Sequence, residues 1–285
     1  MPVSSVYWEY LKTVELLGER CKLKDRKIIL AFDYTDEEFY GDVETSYLDP
    51  QLDRGESRHW KVQIPNMCYG ERHSQDSSVL HTCSHRLQPC KRCLSLIKPI
   101  VGPIDLILFD RGFYSKDLML TLTRSEYPYL IFVPKNKKIK SELKAMIDEE
   151  RKTIHYDFKV NKDKTNERGS TTLAFLKQIF DPKSERNFDW AFATDLEKVD
   201  LDHIIQTYKQ RWRIETGFRI QDEARIKSKD VKIRFFYFVY EQVLQLIWNM
   251  IYREEVSFKR NLLNETSKER AEKAERKAKR STRMA

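Results

Sequence analysis

The sequence predicts an α/β layered domain, and three features predict it. Nearly continuous apolar runs at 26–35, 104–110 and 127–134 have the length and composition of buried strands. Stretches of helical periodicity separate them, as in sheets covered by helices. Two of the runs end in a carboxylate, Asp33 and Asp110, at the strand ends where such sheets gather functional groups.

Taken in order, the first strand over 26–35 delivers Asp33 to the rim of the sheet. Residues 60–64 alternate like a half-exposed strand, and 86–100 follow a helical pattern with Pro89 near its start. The second buried strand, 104–110, leads through Arg111, Gly112, Phe113 and Tyr114 to a helix over 116–123 that Ser115 can cap. A third apolar strand lies within 127–134. The chain then turns polar and charged, with a helix expected at 140–151 and weaker strands near 153–160 and 171–175. Residues 190–194 read as one more strand, 202–225 as a long helix, and 235–252 as a core helix. From Lys268 to the last residue, eight basic and three acidic side chains describe a basic, fraying helical tail. The segments are therefore 1–26, an N-terminal helical part; 27–134, the first part of the core; 135–189, an α+β insertion; 190–252, the last part of the core; and 253–285, a basic helical or disordered tail.

Lys and Arg number 52 against 44 Asp and Glu, a net charge of +8, which favours polyanionic partners. No apolar run approaches the roughly 18–20 residues of a membrane span, and the first residues lack a secretory pattern. A cytoplasmic location is the expectation. The five cysteines are an odd number in such a chain, so reduced thiols are expected. Cys90 and Cys93 have the spacing of half a zinc knuckle, but Cys83 and His85 are one residue apart and form no matching second pair. They read as thiols beside a packed helix, with a structural zinc as the alternative.

The chemistry resides in carboxylates. Two strand-end aspartates on neighbouring strands can hold hard divalent cations, which prefer oxygen ligands and keep positions for water and phosphate. A third, Glu215, lies on the helix over 202–225. There Tyr208, Arg211 and Glu215 are three and four positions apart and share one face. A phenol, a guanidinium suited to phosphate and a carboxylate suited to metal then point the same way. Separately, Asp33 is an ordinary turn residue, Asp110 a partner for Arg111, and Arg211–Glu215 a surface ion pair; the three pieces together change that reading.

The helix resembles the Tyr-x2-Arg-x3-Glu-x6-Lys signature of prokaryotic insertion-sequence DDE transposases. The segments from Asp33 to Thr35 and from Asp110 to Tyr114 are similar to those carrying that family's first and second catalytic aspartates. The resemblance covers about 27–252 in element order, including a long insertion between the second Asp and the Glu. It implies a ribonuclease-H-like core with a mixed sheet and C-terminal helices, Asp33, Asp110 and Glu215 as a triad binding Mg²⁺ or Mn²⁺, and Tyr208 and Arg211 contacting DNA near the cleaved end. It also implies double-stranded DNA as partner, a homodimer on DNA and association with the nucleoid. Along the same helix and beyond it, Lys209, Arg219, Arg225 and Lys227 would line the DNA path.

Two departures accompany the likeness. Asp222 stands where the signature has Lys, a charge that repels phosphate and leaves Arg219 or Arg225 to substitute. Relatives generally carry a sizeable amino-terminal DNA-binding region, whereas about 26 residues precede the first strand here. The function expected is metal-dependent cleavage at element ends followed by strand transfer through a 3′ hydroxyl. The alternatives are a catalytically inert DNA-binding remnant and a ribonuclease-H-like nuclease without strand transfer.

Overall fold

Strands apolar on both faces need cover above and below. In a computed structural model of the chain, the described residues are 3–20, 22–25, 27–39, 48–52, 58–69, 72–75, 78–79, 87–162, 165–181, 184–211, 228, 230, 233–234, 236–237, 239–241 and 243–244. They form α1 (Val3–Arg20), β1 (Ile28–Phe39), β2 (Leu48–Leu52), β3 (Arg58–Tyr69), β4 (Arg72–Gln75), β5 (Ser78–Val79), α2 (Leu87–Ile97) and β6 (Ile104–Phe109). Next come α3 (Lys116–Arg124), β7 (Tyr129–Phe132), α4 (Lys137–Ala145), β8 (Arg151–Lys162), β9 (Thr165–Asp181), β10 (Arg186–Thr194) and α5 (Ile204–Lys209).

The strands join one mixed sheet in the order β2-β3-β1-β6-β7-β10-β9-β8, with β4 and β5 also paired to β3. Parallel pairing is confined to its centre, β1 with β6 and β6 with β7; the pairs on either side are antiparallel. Alternation along each central strand divides the core in two. Leu30, Phe32, Ile107, Phe109, Tyr129 and Ile131 face one side, under α1, α2, α3 and α4. Ala31, Leu106, Leu108, Leu130, Phe192 and Trp190 face the other, under Ile204, Ile205 and Tyr208 of α5. One irregularity interrupts the pattern. Ile28 is level with Ile104 but Ile29 with Leu106, so β6 carries one extra residue, Asp105, against β1.

Local chemistry explains most boundaries. Pro89 sits in the first turn of α2, where the helix needs no N–H from it. The Ser115 hydroxyl accepts from Leu118 N at 3.2 Å and caps α3. Two expectations require correction. β1 does not end at Asp33 but continues to Phe39, because β3 goes on pairing with it after β6 has stopped at Phe109. The helix expected at 140–151 is α4, at Lys137–Ala145. The Asn136 side chain accepts from Ile139 N at 3.0 Å and starts it early. Met146 is extended and Glu149 turns at φ 64°, so Arg151 opens a strand opposite Leu176 instead of closing a helix.

The stretch 135–189 contributes α4, β8, β9 and the start of β10, and its strands extend the central sheet through β10 and β7. Of the helix expected at 202–225, residues 212–225 lie outside the described residues. Of that expected at 235–252, the described residues are helical, with Val239 buried against the first core. Cys90 and Cys93 are buried on the core side of α2; Cys21, Cys83 and His85 lie outside the described residues. No helix among the described residues is long and apolar enough to cross a membrane.

Candidate active site

Asp33 and Asp110 meet because of register. Phe32 is level with Phe109 on parallel neighbours, so the next residue of each chain stands at the same height, at the carboxyl edge of the β1–β6 pair. Alternation then sets their direction. Asp33 follows Phe32 and shares the face of Ala31; Asp110 follows Phe109 and shares the face of Leu108. Both side chains therefore turn toward α5 and not toward α2 and α3.

Tyr208 and Arg211 come to meet them. The Tyr208 ring is buried against Phe132 and Phe192, with centroids 5.6 and 5.1 Å away. Its phenol donates to Asp110 Oδ1 at 3.3 Å and accepts from Arg211 Nε at 3.2 Å. The Arg211 guanidinium donates from Nη1 to Asp33 Oδ2 at 2.5 Å and sets Nη2 3.9 Å from Asp110 Oδ1. One cation thus serves both carboxylates in a shielded place: the Arg211, Asp33 and Asp110 side chains are 5%, 15% and 34% exposed. Such a pair is worth more than a surface ion pair because water screens it less. Burial pushes the Tyr208 phenol far above its usual range and the neighbouring Asp110 adds to this, against the opposing pull of Arg211, so Tyr208 stays a neutral donor.

A second ion pair, absent from the sequence-based reading, fixes this helix. Lys209, assigned above to the DNA path, instead reaches Asp181 at the end of β9. Asp181 also accepts from the Ser184 hydroxyl at 2.8 Å. These two donors hold its carboxyl below the usual value, Lys209 the more strongly. Thr171, Thr194 and Asp195 form a further polar cluster around Tyr129, whose phenol donates to Thr171 Oγ1 at 3.0 Å and whose N–H donates to Asp195 Oδ1 at 3.0 Å. Burial pushes the Tyr129 phenol up to about 12 and raises the Asp195 carboxyl. Short local windows carry no signal for Lys209–Asp181, 28 positions apart, or for the contacts of Tyr129 with Thr171 and Asp195, 42 and 66 positions apart.

Asp33, Asp110, Tyr208 and Arg211 are thus brought together, whereas Glu215, Arg219, Asp222, Arg225 and Lys227 lie outside the described residues. Among the described residues no three His, Cys, Asp or Glu side chains cluster as a metal site. The donor chemistry of the two that meet nevertheless suits a hard divalent cation: two adjacent carboxylates, all oxygen, already compensated by a positive charge.

A family model described as "Transposase DDE domain" matches residues 70–235, more than half of the chain. Among solved structures, a piggyBac transposase synaptic complex with hairpin DNA is similar with a TM-score of 0.52 and 16% identity, over 81% of this chain and 48% of that one. This chain therefore spans about half the length of that relative. The likeness shows the fold, a mixed sheet and helices like a transposase ribonuclease-H-like core. The NurA nuclease from Sulfolobus solfataricus is aligned over 88% of this chain and 93% of its own, at 10% identity and a TM-score of 0.33, too low to bear on the fold. No curated protein matches.

Proposed function

Because the chain belongs to the transposase DDE domain family, we propose that it is a DNA transposase catalytic unit, cutting phosphodiesters at element ends and joining the freed 3′ hydroxyl to target DNA. The observation that carries this reading is the meeting of Asp33 and Asp110 at one sheet edge under Tyr208 and Arg211. Members of the family generally use divalent metals, and in this chain Mg²⁺ or Mn²⁺ would be held by Asp33, Asp110 and Glu215. Bound there, such ions activate the attacking oxygen and stabilise the leaving one.

The chain's own residues do the rest. Alternation aims both carboxylates at one point, and Tyr208, locked between Phe132 and Phe192, holds Asp110 from one side. Arg211 carries a planar fork of donors suited to phosphate. With the two carboxylates holding a cation, the Arg211 fork would turn to the DNA strand beside the scissile bond. Arg219, Arg225 and Lys227 would continue the phosphate path. The same reading takes 27–134 and 190–252 as the core, 135–189 as its insertion, 1–26 as an N-terminal helical part and 253–285 as a basic tail. It makes duplex DNA the partner, of both element end and target, with a homodimer as the active assembly on the nucleoid.

The test is nicking and strand transfer on DNA from the borders of the encoding element, with Mg²⁺ or Mn²⁺. The native chain is compared with Asp110→Ala and Glu215→Ala. Cleavage and joined products from the native chain, abolished in both variants with folding intact, support the proposal. Cleavage without joining identifies a nuclease, and DNA binding without either reaction identifies an inert remnant.

A further inference from the structure

The helix that follows β7 carries charge that nothing in its own surroundings explains. Lys137, Lys138, Lys140 and Lys144 lie on α4, Lys135 leads into it, and Glu142 is its one acidic residue. Glu142 faces Lys152 at 3.6 Å, and the Lys138 ammonium lies 4.6 Å from the centre of the Tyr156 ring. Lys135, Lys137, Lys140 and Lys144 are exposed, and among the described residues none of the four has an acidic partner at ion-pair distance. Ile139 and Leu143, each 2% exposed, bury the opposite stripe.

A merely solvated helix face alternates its charges so that positions three and four apart attract. Here Lys137 and Lys140 are three apart, and Lys140 and Lys144 four apart, so each pair repels by a few tenths of a kcal/mol. Lysines also fill the first turn, which has no acidic residue, although a helix favours negative charge there. Both arrangements cost stability in isolation and lose that cost beside a polyanion.

Position identifies the polyanion. β7 is parallel to β6 with Phe109 level with Ile131, so the chain leaves β7 at the sheet edge where Asp110 leaves β6. Neighbouring strands are about 4.8 Å apart. Lys135 follows Phe132 by three residues at that edge, and α4 begins just beyond it. We propose that α4 and its leading loop form a second phosphate-contact surface, which holds duplex DNA where it runs past the sheet edge on the β7 side of the Asp33–Asp110 pair, across that edge from α5. The inference rests on the transposase reading. Lysines of this kind act as point charges on phosphates, so the contact positions the duplex without reading its sequence.

The experiment is duplex binding by the full chain in EDTA, which prevents cleavage, followed by fluorescence anisotropy across a salt series. A variant with Lys135→Gln, Lys137→Gln, Lys140→Gln and Lys144→Gln is compared with native protein. The control variant has Lys22→Gln, Lys24→Gln, Lys27→Gln and Lys98→Gln, which removes the same charge around the start of β1 at the opposite sheet edge. Each phosphate contact contributes about 0.9 to the slope of log K against log salt, so loss of the α4 contacts should flatten it by about 2 to 4 and weaken binding at least ~10-fold. The control should move less than half as far, and Lys→Arg at the four α4 positions should keep the native slope. Equal effects of the two glutamine variants, or a native slope in the α4 variant, overturn the proposal. Native protein without salt-sensitive duplex binding overturns the transposase reading itself, an outcome visible before any variant is made.

Discussion

Arg211 closes a 2.5 Å charged hydrogen bond onto Asp33, a residue 178 positions earlier in the chain. The same guanidinium lies 3.9 Å from Asp110, so three elements distant in sequence are tied by one side chain. Without it, two carboxylates would face each other at the edge of an apolar core. The arrangement makes Arg211 a structural stand-in for positive charge at the site.

Arg211→Ala should therefore destabilise the metal-free protein. Breaking a buried ion pair by removing one partner costs about 3–5 kcal/mol, and the partial exposure of Asp110 brings the expectation to about 2–4. Added Mg²⁺ should raise the Tm of this variant by more than that of the native chain, since a ligand stabilises the state it binds. Thermal unfolding with and without Mg²⁺ checks this; equal shifts in the two proteins would contradict the competition between guanidinium and cation.

Tyr208 separates two contributions. Tyr208→Phe keeps the ring between Phe132 and Phe192 but removes the hydroxyl shared by Asp110 and Arg211. It should cost about 1–3 kcal/mol, because Arg211 Nε loses an acceptor. Tyr208→Ala adds a cavity and should cost about 3–5 kcal/mol. Urea unfolding of the two variants measures the difference, and similar losses would mean that the hydroxyl and not the ring holds α5.

Two aspartates should give pH dependences of opposite sign. Asp181 has a lowered folded-state value, so its contribution is present above the unfolded value of 3.8 and is lost as pH falls through the lower folded one. The stability difference between native protein and Asp181→Asn should stay flat at neutral pH and shrink below about pH 4. Asp195 has a raised value, so its favourable contribution is complete below 3.8 and disappears as pH rises through the folded value. Asp195→Asn, which keeps an acceptor for the Tyr129 N–H, should be more stable than native protein at pH 7 and lose that advantage in acid. Denaturant titrations at several pH values report both, and parallel profiles would refute the assignment.

Gly169 tests the packing of the long hairpin of β8 and β9. It lies directly across from Phe158, and a Cβ there would stand 2.8 Å from the Phe158 ring and 3.0 Å from Leu120 Cδ1. The ring is buried and cannot swing away. Gly169→Ala should cost about 1–3 kcal/mol. Gly112→Ala, with nothing within 4 Å, provides the comparison. Equal stabilities would show that the hairpin shifts freely.

Sequence patterns read the centre of this fold well because each central strand is apolar on both faces and ends in a polar break. The runs that form β1, β6 and β7 can be placed from the pattern, the first two with their aspartates. The periphery was less legible. β9 is 17 residues long, yet only its buried middle, around Leu173 and Phe175, resembles a strand; its start, Thr165–Ser170, is polar and relies on pairing with β8, and Lys177 and Gln178 break the pattern toward its far end, which pairs with β10. The sequence pattern places α4 too late, at 140–151, because the Asn136 cap and the Glu149 turn, both single residues, set where the helix begins and where the next strand opens. At the site, i, i+3 spacing correctly put Tyr208 and Arg211 together. It could not reveal that Lys209 would be engaged by Asp181, since that contact depends on where β9 finishes.

The surplus residue in β6 sets the phase of the whole centre. Ile104 packs with the first core and Leu106 with the second, so Asp105 uses up one step of the alternation. Count on from Ile104 without that step and Asp110 would project toward α2 and α3, level with Tyr34 rather than with Asp33. Leaving that one residue out of the pairing, far from the chemistry on the opposite margin of the sheet, therefore keeps the two acids in step. Substitution at that position leaves the count intact, and deleting the residue would close the bulge with Asp110 still level with Asp33 and on the same face.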